Sequence, residues 1–167
     1  LAGDIAHTLG YVRMVQEQQD EAKSYYLESL RIKKLNYSPP NASMAVTLNG
    51  LGILNEAEGN YLLAESYYIE ARTNWAGSLG KDHLRYSWAQ HNLGKLYNRL
   101  GRDEEAVECL TDALRVKQAN LPLDDPDIGQ TLVVLSGALF QLGDFAGYEA
   151  TALRAAEIWK KQKGTND

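Results

Sequence analysis

Leu-Gly occurs at Leu9-Gly10, at Leu51-Gly52 and at Leu93-Gly94, and one further step of 42 residues lands on Leu135-Ser136. A fixed period of this kind constrains the fold more than composition does. Each unit must be one supersecondary motif that buries its apolar face against neighbouring units. Within a period the apolar residues recur at helical spacing and not in alternation, which predicts two helices per unit. In the second period the first helix is expected over about Ala42–Glu58, a turn at Gly59-Asn60, and a second helix over about Tyr61–Gly77. The turn recurs at Gly101-Arg102 and Gly143-Asp144, where glycine tolerates the positive φ of a helix end. The first period carries Glu17-Gln18 at that place. Asp103 and Asp144 suit the start of the second helix.

Small residues recur where two helices must approach. Gly10, Gly52, Gly94 and Ser136 share one position; Ala22, Ala64 and Ala106 share a second, broken by Tyr148; Ser29, Ala71, Ala113 and Ala155 share a third. Between the last two lies a large residue, Tyr26, Tyr68 or Leu110, but Ala152 in the fourth period. Mid-helix glycine costs about 1 kcal/mol against alanine, so its recurrence calls for close packing. The connections Asn36–Pro40, Leu79–His83 and Leu121–Pro126 stop one helix and admit the next. They separate repeats at about 3–40, 41–82, 83–124 and 125–162, read as one array.

The order Leu-Gly, a small residue twelve positions after the Gly, a bulky one four later and Ala three after that resembles the tetratricopeptide repeat. The 42-residue period, with Thr-Leu-Asn-Gly-Leu-Gly at 47–52 and Gln-His-Asn-Leu-Gly at 90–94, is similar to the kinesin light chain subtype. The resemblance implies an all-α fold, an α-α superhelix of four helix-turn-helix repeats with about eight antiparallel helices. It also implies a concave groove lined by the first helix of each repeat. Mapped onto this chain, the groove positions are His7 and Tyr11 in the first repeat, Asn49 and Ile53 in the second, Trp88, His91, Lys95, Asn98 and Arg99 in the third, and Val133 and Phe140 in the fourth. Chaperone-tail binders of this family use a Lys/Asn/Asn/Lys/Arg clamp. Here His7 and Tyr11 stand where Lys and Asn would, and Trp88 and Asn92 where Lys and Arg would, so that ligand is disfavoured.

Spacing supports the third repeat's grouping by itself. Residues 88, 91, 95, 98 and 99 lie on one helix face, and Ala89, Leu93, Leu96, Tyr97 and Leu100 form the core face opposite. The first set joins an aromatic ring to Lys95 and Arg99 with no acid, a set able to hold an acidic or phosphorylated peptide segment.

Composition bounds the other possibilities. The net charge of -5 opposes nucleic acid, and no apolar run spans a membrane. Cys109 stands alone and reads as a packing thiol, in keeping with a reducing, cytoplasmic setting. The chain opens on Leu1, which reads as a fragment or a processed product, so an organelle reached by a removed targeting peptide fits as well. His7, His83 and His91 are scattered, and no catalytic, metal or cofactor motif occurs. Lys160, Lys161 and Lys163 suit a helix C-terminus. The expected function is therefore a non-catalytic protein-binding scaffold. The alternatives are a structural or oligomerisation segment, or a regulatory array joined to an enzyme or NTPase. Self-association is expected through the last helix, where Leu153, Ile158 and Trp159 have no following helix to cover them.

Overall fold

The computed structural model describes residues 1–164; the side chain of Lys163 lies outside the described part. The described residues form eight helices: α1 (Ala2–Val15), α2 (Gln19–Asn36), α3 (Ala42–Ala57), α4 (Tyr61–Leu79), α5 (Leu84–Arg99), α6 (Asp103–Asn120), α7 (Pro126–Gln141) and α8 (Phe145–Gly164). They group into two compact units, Leu1–Lys81 and a second beginning at Asp82. Unit 1 holds the pairs α1–α2 and α3–α4, and unit 2 holds α5–α6 and α7–α8.

Each pair turns through the same geometry. The amide of the second turn residue reaches back five positions: Gln18 to the Arg13 carbonyl at 2.9 Å, Asn60 to Asn55 at 2.8 Å, Arg102 to Tyr97 at 2.9 Å and Asp144 to Leu139 at 3.0 Å. This Schellman closure needs a left-handed residue just before it. Gly59, Gly101 and Gly143 supply it with φ of 79°, 70° and 77°, and Glu17 supplies it with φ of 60°. A side chain there costs about 1–2 kcal/mol, partly offset by the lower chain entropy of a non-glycine residue. Glu17→Gly is therefore expected to raise stability by about 0.5–1 kcal/mol. A lowered urea midpoint would contradict this account of the turn.

The start signals also carry the period. Asn41 Oδ1 accepts from the amides of Ser43 and Met44, His83 Nδ1 from Arg85, and Asp125 Oδ1 from Asp127, with Pro126 opening α7. These N-caps stand 42 residues apart. Asp144 caps α8 by accepting from the Gly147 amide at 2.9 Å. Asp103 instead is the first residue of α6, whose cap position is Arg102; there it acts on the helix dipole and not as a cap.

The small residues pack as their recurrence predicts. A Cβ on Gly10 would lie 2.7 Å from the Tyr26 ring, and one on Gly52 would lie 2.5 Å from the Tyr68 ring. Tyr26 also abuts Gly50, where a Cβ would lie 2.9 Å from it, so one ring joins α1, α2 and α3. In the fourth repeat the pair is exchanged: Tyr148 replaces the small residue and Ala152 the large one. Tyr148 then turns outward onto Phe140, with centroids 5.3 Å apart. Cys109 is buried, as expected.

Two expectations are corrected. Leu100 is not core; it follows α5 as its C-cap and is 38% exposed. Ile158 is not an exposed residue of the last helix. It is 4% exposed, packed with Ile128, Leu132 and Ala155 between α7 and α8, while Leu153 and Trp159 remain at 60% and 37%.

Candidate peptide-binding face

The residues expected to line a groove divide into two groups. His7 and His91 are tied into polar networks between first helices. In unit 1 the His7 ring nitrogen Nδ1 lies 3.3 Å from Thr47 Oγ1. The Lys33 ammonium donates to the same Oγ1 at 3.0 Å and to the Ser43 carbonyl at 2.9 Å, and pairs with Asp4 at 3.2 Å. Unit 2 repeats this: His91 Nδ1 lies 3.2 Å from Thr131 Oγ1, and Lys117 donates to that Oγ1 at 3.0 Å and to the Asp127 carbonyl at 3.2 Å. Lys33 and Lys117 are 2% and 3% exposed, and burial draws both ammonium pKa values below the ordinary range. The histidine, threonine and lysine recur after 84 residues, twice the basic period, while Asp4 has Trp88 as its counterpart; this is the sequence signal that comparing adjacent repeats conceals.

Both imidazoles are held neutral. Burial, then the Lys33 ammonium, lowers the His7 pKa to about 4. Burial, then the charges of Lys117 and Lys95, lowers that of His91 to about 3. In the unfolded chain each binds a proton near the usual 6.5. The stability they lend is thus complete above pH 6.5 and is lost as the pH falls through the folded values. We expect the Tm to fall between about pH 7 and pH 5, above the range where carboxylates titrate. His91→Gln should flatten that slope; an unchanged slope would contradict the assignment.

The second group stays accessible. On α5, Trp88 is 37% exposed, Arg99 is exposed, and Lys95 and Asn98 are half-buried. The Arg85 guanidinium lies 6.0 Å from the Trp88 ring centroid, within cation–π range. No acid occurs in α5. Its far side is fixed to α6 by Asp112, which accepts from Tyr86 Oη at 2.9 Å and Gln90 Nε2 at 2.7 Å. Burial acts to raise the Asp112 pKa, but the hydrogen bonds from Gln90, Tyr86 and Arg115 hold it below the usual carboxylate range. α7 lies beside α5, with Asn98 Nδ2 donating to the Val134 carbonyl at 3.4 Å. Gly137 makes that approach possible, since a Cβ there would sit 3.2 Å from Asn98 Nδ2. α7 adds Val133 and Phe140, 51% and 50% exposed, and Phe145 stands edge-on to Phe140 at 5.6 Å. In unit 1, Tyr11 is 55% exposed, and Asn49 and Ile53 are half-buried. Glu56 on α3 is buried and accepts from Tyr68 Oη at 2.9 Å.

The tetratricopeptide repeat family model matches residues 43–119, which contain the second and third members of the Leu-Gly and Ala series described above. Residues 43–119 are tetratricopeptide repeats. None of the curated proteins matches it. Among solved structures, this chain is similar to BtubC (BKLC) from P. vanneervenii, with a TM-score of 0.88 and 27% identity over 97% of this chain and 65% of that one. It thus spans about two thirds of BtubC, just under that share. A kinesin light chain-like protein of nearly identical TPR-like repeats from Podosopora anserina superimposes with a TM-score of 0.81, and a single-substitution variant of that protein with 0.82. Both are 20% identical over 95% of this chain and 75% and 74% of theirs, a likeness of fold. The all-α helix-pair architecture expected from the period is the one found. Tetratricopeptide repeats are in general protein-interaction scaffolds rather than catalysts. Among the described residues no helix is long and apolar enough to cross a membrane, and no three His, Cys, Asp or Glu side chains are grouped to hold a metal ion.

Proposed function

We propose that the joint face of α5 and α7 binds an acidic or phosphorylated peptide segment of a partner protein. The observation that carries this reading is the charge of α5: Arg85, Lys95 and Arg99 with no acid on the helix, in a chain whose net charge is -5. Guanidinium and ammonium groups bind carboxylate and phosphate oxygens by charge-assisted hydrogen bonds. Val133 and Phe140 beside them offer apolar contact, so a segment mixing acidic and apolar side chains fits better than a purely acidic one. The groups present are those of recognition and not of bond-making. Tyr11, Asn49 and Ile53 give unit 1 a separate, uncharged face for which a neutral stretch of peptide is the matching ligand. The 42-residue spacing of Leu9, Leu51, Leu93 and Leu135 supports reading all four helix pairs as one array.

Fluorescence anisotropy with a labelled glutamate-rich peptide, and with the same peptide carrying lysine in place of glutamate, tests the reading. The acidic peptide is expected to bind, the basic one not, and added salt to weaken the complex as exposed charges are screened. Equal binding of both peptides, or binding indifferent to salt, would overturn it.

A further inference from the structure

His91 is joined to α7 through Nδ1, which lies 3.2 Å from Thr131 Oγ1. The other neighbours of that hydroxyl decide which ring nitrogen carries the proton. Thr131 Oγ1 donates to the Asp127 carbonyl at 2.9 Å; a carbonyl only accepts, so the hydroxyl proton lies in that contact. The Lys117 ammonium, which only donates, is 3.0 Å away. Thr131 therefore has no second proton to offer the imidazole and must accept from it. A bare Nδ1 would set two lone pairs against each other, so Nδ1 carries the hydrogen. The ring is held neutral by burial and by the ammonium charges beside it. Nε2 is then an unprotonated acceptor.

The matching site in unit 1 reaches the same tautomer by another route. Ser29 Oγ donates to the Gly3 carbonyl at 2.7 Å, so the 3.1 Å contact between Ser29 and Thr47 must carry the Thr47 proton. Lys33 donates to Thr47 Oγ1 at 3.0 Å. His7 Nδ1, 3.3 Å from that oxygen, is again left as the donor.

Nδ1 of His91 thus belongs to the network between helices, but Nε2 does not. Nε2 has no partner among the described residues, and it is not one of the buried polar atoms left without one, so solvent reaches it. His91 lies in the middle of the α5 face, one turn from Trp88 and one from Lys95. Trp88, Lys95 and Arg99 carry donors only. A bare anion can satisfy those donors but not Nε2, since sulfate and fully ionised phosphate offer acceptors alone. A cationic donor on the ligand would be repelled by Lys95 and Arg99. A neutral donor close to an acidic side chain is the fit, and the backbone amide of an acidic residue is such a group.

We propose that His91 Nε2 accepts a hydrogen bond from a backbone N–H of the acidic segment bound on α5 and α7, so that this face selects a peptide over a bare anion. The proposal rests on the peptide-binding reading above and adds to it the group that recognises the ligand's main chain.

Long-range proton–nitrogen correlation spectra of the imidazoles at neutral pH test this in two stages. In the free chain His91 is expected as the Nδ1–H tautomer, and His7 likewise; a proton on Nε2 of His91 would overturn the proposal whatever binds. On titration with the glutamate-rich peptide, the Nε2 resonance is expected to move upfield as its lone pair becomes engaged. The same sequence with every backbone amide replaced by an ester keeps the side chains and removes each N–H. It is expected to bind about tenfold more weakly or worse and to leave Nε2 unmoved. An unmoved Nε2 in the peptide complex, or one that moves as far with the ester chain, would overturn the proposal while leaving the peptide face in place. A peptide that does not bind at all, seen separately by anisotropy, would overturn the reading of the face and this proposal with it.

Discussion

Replacing Gly52 by valine is expected to lower the stability of unit 1 by about 3 kcal/mol or more, the upper end of core overpacking. The first added carbon would lie 2.5 Å from the Tyr68 ring, well inside van der Waals contact. The ring cannot swing aside cheaply. Tyr68 is fully buried, and its hydroxyl donates to Glu56, a carboxylate only 5% exposed. Moving the ring would leave that carboxylate without this donor in a poorly solvated place, at a further cost. The gain in helix propensity from glycine to valine, a few tenths of a kcal/mol, does not compensate. Gly59 makes the contrast: no atom lies within 4 Å of its would-be Cβ, and only its φ of 79° asks for glycine. Gly59→Asn should therefore be nearly neutral, since asparagine tolerates the left-handed region. Urea unfolding of both variants checks this, and a Gly52→Val midpoint within about 0.5 kcal/mol of the parent would refute the packing account.

Charge reversal of Lys95 and Arg99 together is expected to weaken capture of an acidic peptide by about 100-fold or more. Two attractive contacts become repulsive ones, and like charges brought together across an interface cost several kcal/mol, where every 1.4 kcal/mol is tenfold. The fold should survive, because Arg99 is exposed, Lys95 half-buried, and the packed side of α5 is held separately by Ala89, Leu93, Leu96 and Tyr97. Isothermal titration of Lys95→Glu/Arg99→Glu against the glutamate-rich peptide gives the number, and unchanged far-ultraviolet dichroism shows that the loss is not unfolding. Affinity retained within a few-fold would remove these two residues from the site.

The period made most of the fold legible. Glycine turns, the small-against-large packing pairs and the helix limits all follow from residues that recur every 42 positions, because close packing admits few side chains. Several site residues were less legible, for a definite reason. Comparing adjacent repeats sorts residues into constant and variable, and His7 and His91 differ from Asn49 and Val133, so they read as specificity residues. Part of that variation is an alternation of period 84. His7 and His91 belong with Thr47 and Thr131, and with Lys33 and Lys117, in networks that join neighbouring helices. Buried lysine is rare enough that no pattern of single residues announces it. Ile158 and Leu100 show the complementary limit. Apolar residues at the edge of a helical stripe go inward or outward according to the crossing of the neighbouring helix, which spacing along one helix does not define.

The most direct test of the binding face is a backbone amide shift map of the chain during titration with the glutamate-rich peptide. The shifts are expected on α5 around Trp88, Lys95, Asn98 and Arg99 and on α7 around Val133, Gly137 and Phe140. The outer helices α6 and α8 should stay quiet. Shifts concentrated on α6 and α8, with α5 and α7 unmoved, would contradict the account.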